Sequence, residues 1–196
     1  MNNQKTIDKR IESTKQYIDA LSEQYSKLNV IRIDLAYRKP HSDTMTLDAA
    51  NSDFDRMMSN RRSKPTIFKD QVGYTCKKEY TKDRGVHFHA IFFYDGQKVL
   101  KDILKADQIG QYWVNEITKE KGSYHNCNRN EYKDKGVGIL DHKDSKKREN
   151  LDKAVSYLCK DDDQDIEPIK TNEKDRAFVR GTIPKSKKKL GRPREV

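Results

Sequence analysis

Two histidines stand two residues apart in the segment Gly85-Val-His-Phe-His-Ala-Ile-Phe-Phe-Tyr94. The segment is rich in aromatic and β-branched residues, and Asp95-Gly96 closes it with a turn signal, so it reads as a β-strand. Side chains alternate faces along a strand, so His87 and His89 share one face and Phe88 takes the other. Two imidazoles side by side on a rigid strand make half of a metal site. A surface pair of histidines without function would show the same local pattern. A divalent ion needs further donors from a neighbouring element. Glu79 is the candidate, on the strand that precedes the turn Thr81-Lys-Asp-Arg-Gly85. A loop with an odd number of residues centred on Asp83 sets Glu79 directly opposite His87, on the face of both imidazoles. A two-residue loop, Asp83-Arg84, slips the register by one and turns Glu79 away, leaving it a solvent-facing charge beside Lys77 and Lys78. Gly85 favours the longer loop, because such hairpins often end on a glycine at positive φ.

A second constellation, Tyr157-Leu-Cys-Lys160, falls on the last helical segment. At about 100° per residue Tyr157 and Lys160 lie on adjoining lines of the helix surface. Tyr157 sits at the border of the apolar stripe, which places its hydroxyl where helix meets sheet. A tyrosine there is ordinarily an amphipathic packing residue. With a lysine one turn away it is also a candidate nucleophile, since an ammonium favours the phenolate.

The elements that must position these groups follow from periodicity. Apolar or near-apolar residues at Ile7, Ile11, Thr14, Ile18, Leu21, Tyr25 and Leu28 step by four and three, one helical stripe. Val30 to Tyr37 reads as a strand and Arg38 to Asp43 as a loop. Thr46 caps a helix carrying Leu47, Ala50, Phe54, Met57 and Met58, which Lys64-Pro65 ends. Ile67 to Tyr80 is extended, with a bulge or bend at Gly73. Leu100 to Ile117 is helical, in one or two pieces, and Gly122 stops it. Tyr124 to Asn128 and Val137 to Leu140 are short strands. Asn150 caps a last helix carrying Leu151, Ala154, Val155, Leu158 and Cys159, which the acid run Asp161-Asp162-Asp163 ends. The remainder reads as polar and weakly structured. This order predicts an α+β fold, a central antiparallel sheet with flanking helices. The expected organisation is an amphipathic helix over 1–28, a main domain over 29–184 and a basic flexible tail over 185–196.

The net charge of +10 on 196 residues points to an acidic polymer as partner. The tail holds Lys185, Lys187, Lys188, Lys189, Arg192 and Arg194 against Glu195 alone, an arm suited to phosphates. The three cysteines are scattered and odd in number, and no apolar leader or bilayer-spanning run is visible, so a soluble protein of the reducing cytosol is expected, with no membrane partner.

The His-hydrophobic-His strand followed by a helical Tyr-x-x-Lys resembles the HUH endonucleases of rolling-circle replication. More closely, the chain resembles the inovirus-type replication initiation proteins related to filamentous-phage gene two, the YagK/YfjJ C-terminal domain family. The resemblance runs from about Arg32 to Pro184. Its landmarks are Arg32-Ile-Asp-Leu-Ala-Tyr37, Gly85 to Gly96, Ile109-Gly-Gln-Tyr-Trp113, Tyr124-His-Asn-Cys-Asn128, Tyr157-Leu-Cys-Lys-Asp-Asp162 and Arg180-Gly-Thr-Ile-Pro184. It implies that the main domain over 29–184 is an HUH-like nuclease domain. It implies His87 and His89 as ligands of Mg2+ or Mn2+, with an acid beside them, Tyr157 as nucleophile and Lys160 as its helper. It implies metal-dependent nicking and rejoining of single-stranded DNA or an origin hairpin through a 5′-phosphotyrosyl intermediate. The setting it implies is a phage or prophage element in a bacterial cytoplasm, with the host replication machinery as a further partner. The lack of a third histidine beside the pair argues against the relaxase branch. Two rivals exist. A non-catalytic DNA-binding regulator explains the charge but not the histidines with Tyr157. A cupin-like oxygenase needs a downstream acid on the histidine strand, and Ile91-Phe-Phe-Tyr94 offers none.

Overall fold

In the computed structural model, residues 2–159 and 166–185 are described. The order is α1 (Asn2–Gln24), β1 (Lys27–Tyr37), α2 (His41–Thr44), α3 (Leu47–Ser59), α4 (Pro65–Phe68), β2 (Gln71–Thr81), β3 (Gly85–Asp95), α5 (Asp102–Tyr112), β4 (Gly122–Asn126), β5 (Gly138–Asp141), α6 (Ser145–Cys159) and β6 (Phe178–Arg180). The strands form one six-stranded antiparallel sheet in the order β4-β1-β3-β2-β6, with β5 also paired to β1. This is the expected α+β architecture.

The alternation along β1 and β3 divides the core in two. Ile31, Ile33, Leu35 and Tyr37 join Phe88, Ala90, Phe92 and Tyr94 on one face, where α3 and α5 bring Phe54, Met57, Ile109 and Trp113. Each large side chain fully buried there contributes about 1.5–3 kcal/mol. The Trp113 indole is sealed in and its Nε1–H donates to the Ala36 carbonyl at 3.0 Å, which satisfies its one polar atom. On the other face Leu28, Val30, Ile91, Phe93 and Leu140 meet Tyr17, Ile18 and Leu21 of α1 and Leu151, Val155 and Leu158 of α6. The apolar stripe of α1 therefore covers the sheet. These two helices cover the Ile91–Phe93 end of that face, and the same face continues into polar residues at the His87–His89 end.

Several boundaries differ from the sequence reading. Residues 65–68 form a helical turn that begins on Pro65, so the extended segment starts at Gln71 rather than Ile67. The 38–43 loop includes the start of α2. The Leu100–Ile117 segment is α5 followed by one π-helical turn, Trp113–Ile117, and Gly122 opens β4 instead of ending the helix. The last helix begins at Ser145, so Asn150 lies within it and is not its cap. The Asp144 carboxylate takes the capping role, accepting from the Lys147 backbone N–H at 2.9 Å. The first turns of α6 are polar because they face solvent, which hid its start. Phe178–Arg180, in the stretch read as weakly structured, is an edge strand on β2. Thr46 caps α3 as expected, accepting from the Ala49 N–H at 3.2 Å. The register shift between Gln71 and Gly73 is the expected bulge. A side chain at Gly73 would meet the Tyr17 hydroxyl at 2.5 Å, and that hydroxyl accepts from the Tyr74 N–H at 3.1 Å. The glycine thus lets α1 dock on the sheet.

Candidate metal centre

The hairpin sets the register. Thr81 pairs with Gly85 across a three-residue loop, and Glu79 pairs with His87. Gly85 adopts φ 66°, the left-handed region, and a Cβ there would meet the Ser42 carbonyl oxygen at 2.3 Å. The longer loop is therefore the one formed, and Glu79 faces both imidazoles.

Each imidazole is held by its Nδ1. His87 is fully buried, and its Nδ1 lies 3.0 Å from the Gly85 carbonyl oxygen. A carbonyl only accepts, so Nδ1 carries the proton and Nε2 presents a lone pair. That Nε2 is buried without a hydrogen-bond partner, 3.3 Å from Glu79 Oε2. His89 Nδ1 lies 2.6 Å from Asp34 Oδ1, across the β1–β3 pairing, and its Nε2 lies 3.0 Å from the same Glu79 Oε2. The other carboxylate oxygen, Oε1, meets the buried Lys77 ammonium at 2.7 Å. The donor atoms of Glu79, His87 and His89 all lie within 4.8 Å of one another.

This arrangement fits a metal ion. A carboxylate oxygen facing a lone pair in a buried site calls for a cation between them. A carboxylate behind one histidine and a carbonyl behind the other are the partners that orient metal-ligating imidazoles. Three side chains could thus hold one ion, with further positions open to water or substrate.

The charges are tuned to one another. Burial disfavours the His89 imidazolium, but hydrogen bonds to Asp34 and Glu79 outweigh it and push its pKa up to about 9. Burial raises Glu79, and the neighbouring His87 and His89 imidazoles and the Lys77 ammonium more than reverse this, leaving it well below the usual carboxylate range. Asp34 is lowered too, burial being outweighed by His89. His89 adds stability that is complete below its ordinary pKa of about 6.5 and is lost as pH rises through about 9; the carboxylates add stability that is complete above about 4 and is lost as pH falls further. With chelator present, thermal unfolding is expected to show the cluster's contribution at its largest between about pH 4.5 and 6.5. Glu79→Gln should flatten the alkaline decline, and an unchanged profile would refute the linkage.

The sequence reading missed Asp34 and Lys77. Arg32 and Asp34 alternate with Ile31, Ile33 and Leu35 on an otherwise apolar strand, which was the available signal for Asp34. Lys77 looked like one more surface lysine. Asp34→Asn is expected to weaken Mn2+ binding about 10–100-fold, the usual cost of losing such an orienting partner. Calorimetry against the wild type measures it.

Tyr157 lies elsewhere on the same side of the sheet. It is 65% exposed, so it does not stand at the helix–sheet junction expected of it. Val155 and Leu158 take the inward positions of α6, and Tyr157 turns away from them into solvent. Contacts lead from the end of α6 to the cluster: Arg10 Nη1 donates to the Cys159 carbonyl at 3.2 Å, its guanidinium lies 5.9 Å over the Phe178 ring, and Phe178 pairs with Lys77. The structure thus brings Glu79, His87 and His89 together and leaves Tyr157 outside their hydrogen bonds. Lys160, the acid run from Asp161 and residues 186–196 of the basic tail lie outside the described residues. No described helix is long and apolar enough to cross a membrane.

An antiparallel sheet with helices on both faces, bearing two imidazoles and a carboxylate that converge on one point, defines an α+β protein with a sheet-borne candidate metal centre. The chain belongs to the YagK/YfjJ C-terminal domain family, whose sequence pattern matches residues 1–179. No match was found among curated proteins or among solved structures.

Proposed function

We propose that this protein is a rolling-circle replication initiator that nicks and rejoins single-stranded DNA. The observation that carries the reading is the convergence of His87 Nε2, His89 Nε2 and Glu79 Oε2 at the polar end of one sheet face, with His87 and Glu79 buried and His89 partly exposed. Mg2+ or Mn2+ bound there supplies Lewis-acid polarisation of the scissile phosphate. Asp34 holds the His89 ring and the Gly85 carbonyl holds His87, so both Nε2 atoms stay aimed at the site, and an ion bound there would displace the His89 Nε2 proton. Lys77 keeps Glu79 Oε1 engaged and leaves Oε2 for the site.

Tyr157 is the nucleophile. Its Oη attacks phosphorus, its proton passes to solvent, the bond from phosphorus to the 3′ oxygen breaks, and that oxygen takes up a proton and leaves as a hydroxyl. The product is a 5′-phosphotyrosyl protein, and one phosphoester replaces another, so rejoining needs no ATP. Lys160 supplies an ammonium that favours the phenolate, which is needed because a free tyrosine titrates near 10. The exposure of Tyr157 suits a nucleophile that must meet a strand from solution.

The test is capture of the adduct. The protein is incubated with labelled single strands from the genetic element that encodes it, with Mg2+ or Mn2+ or with chelator. A covalent species that needs the ion supports the reading. DNA binding with no adduct under any ion would replace it with a non-catalytic DNA-binding regulator.

A further inference from the structure

A cleft of about 460 Å³ opens between α1 and β6. Arg10, Ser13, Arg176, Phe178, Arg180 and Thr182 are among the residues lining it, and none of its described lining residues is acidic. Arg180 is fixed in place by neutral acceptors: Nη1 donates to the Gly181 carbonyl at 2.9 Å and Nη2 to Ser13 Oγ at 2.6 Å, and the guanidinium lies 5.4 Å over the Tyr17 ring. Arg176 is exposed at the rim. A rigid guanidinium without a carboxylate partner among the described residues, beside further arginines in one concavity, is a site for an anion. Two other charged clefts among the described residues differ. One carries Asp19, Glu23 and Asp141, and another sets Asp55 among Arg61 and Arg62.

The position of the cleft says which anion. Phe178 in its wall pairs with Lys77, whose ammonium touches Glu79, so the cleft adjoins the metal-site carboxylate by one strand. Arg10 in its other wall holds the Cys159 carbonyl, two residues beyond Tyr157. The cleft therefore lies between the cluster and the end of α6.

We propose that this cleft binds the phosphodiester backbone of a single strand, holding it between the metal site and Tyr157. The proposal rests on the nicking reading and adds where the strand runs. Phosphates give the affinity and bases little, because guanidinium groups read the backbone. Serine and threonine hydroxyls beside the arginines add donors for the same oxygens.

The test uses the full chain and a fluorescein-labelled oligothymidylate with chelator present, so that cleavage plays no part. Arg176→Glu is expected to weaken binding at least about fivefold at low salt and to reduce the salt slope by about 0.7 for each phosphate that is no longer neutralised. Arg62→Glu, an equal charge reversal at an exposed arginine that lines another cleft, should change binding less than about twofold. Thermal unfolding and Mn2+ affinity of both variants should match the wild type. Unchanged binding by Arg176→Glu, equal weakening in both variants, or no binding by the wild type would each overturn the cleft. Because the readout is binding, absence of nicking with a normal Arg176 effect would defeat the nicking reading alone.

Discussion

Replacing His87 with alanine is expected to abolish metal-dependent strand cleavage, by about a thousandfold or more, while the protein still folds and still binds DNA. The size follows from the role. Lewis-acid stabilisation of a developing phosphate charge is worth several kcal/mol, and each 1.36 kcal/mol is tenfold in rate. Affinity for DNA comes mainly from basic side chains that meet phosphates, which this change leaves in place. Stability should fall by about 1–3 kcal/mol, because a buried ring and its bond to the Gly85 carbonyl are removed. For a chain of this size that is a fall in melting temperature of roughly 2–12 °C. The Nε2 contributes little to that fall, since it has no hydrogen-bond partner in the fold. This asymmetry separates a ligand from a packing residue. Removing a packing histidine lowers stability and leaves metal affinity alone; removing a ligand lowers both. Titration with Mn2+, Mg2+ and Zn2+ beside the melting curve distinguishes them. Full cleavage by the variant in the presence of chelator would sink the metal reading.

The centre of the site was legible because hairpins are local. The turn Thr81 to Gly85 determines which residues face each other for several positions either way, and a glycine at its end selects the longer loop. From that, Glu79 opposite His87 follows by counting. Asp34 was not legible in the same way. Its contact with His89 depends on β1 pairing with β3 in one register out of several, across 55 residues of sequence. Turn chemistry says nothing about that register. Lys77 illustrates a further gap, since burial of an ammonium depends on its pairing with Glu79 and on the neighbouring strand β6.

That edge strand was invisible because three residues carry too little propensity to declare themselves. Phe178–Arg180 is a strand only because β2 offers an edge for it to pair with. The helices show the complementary case. Stripes such as Leu47, Ala50, Phe54, Met57 and Met58 announced α3 and its Thr46 cap, since amphipathic periodicity records burial directly. The start of α6 was displaced because its first turns carry no apolar residues, and its cap Asp144 looks like any other surface acid. Tyr157 was placed on the junction by angular arithmetic alone. The angle from Leu158 does not say how far the sheet extends beneath the helix, and here the ring reaches solvent.

The exposure of Tyr157 makes the second large prediction cleaner than a buried residue would allow. Tyr157→Phe removes one hydroxyl from a ring that is 65% exposed, so neither packing nor the metal cluster should change. Surface substitutions of this kind ordinarily stay within about 0.5 kcal/mol. The variant should bind single strands and Mn2+ as the wild type does, and form no covalent adduct at all. The loss is complete because a phenyl ring has no atom that can attack phosphorus. Lys160→Ala should slow adduct formation without eliminating it, since an ammonium only stabilises the phenolate. The measurement is digestion of the trapped complex and location of the modified peptide by mass. An adduct on Tyr124, Tyr132 or another tyrosine would overturn the assignment. A wild-type level of adduct in Tyr157→Phe would do the same, and the candidate would then have to be sought among tyrosines on the β4 side, where Tyr132 shares its surroundings with Asp34 and Arg32. If Tyr157 is the nucleophile, double substitution of Tyr157 and His87 should bind DNA no worse than either single variant, because neither group supplies the phosphate contacts on which affinity rests.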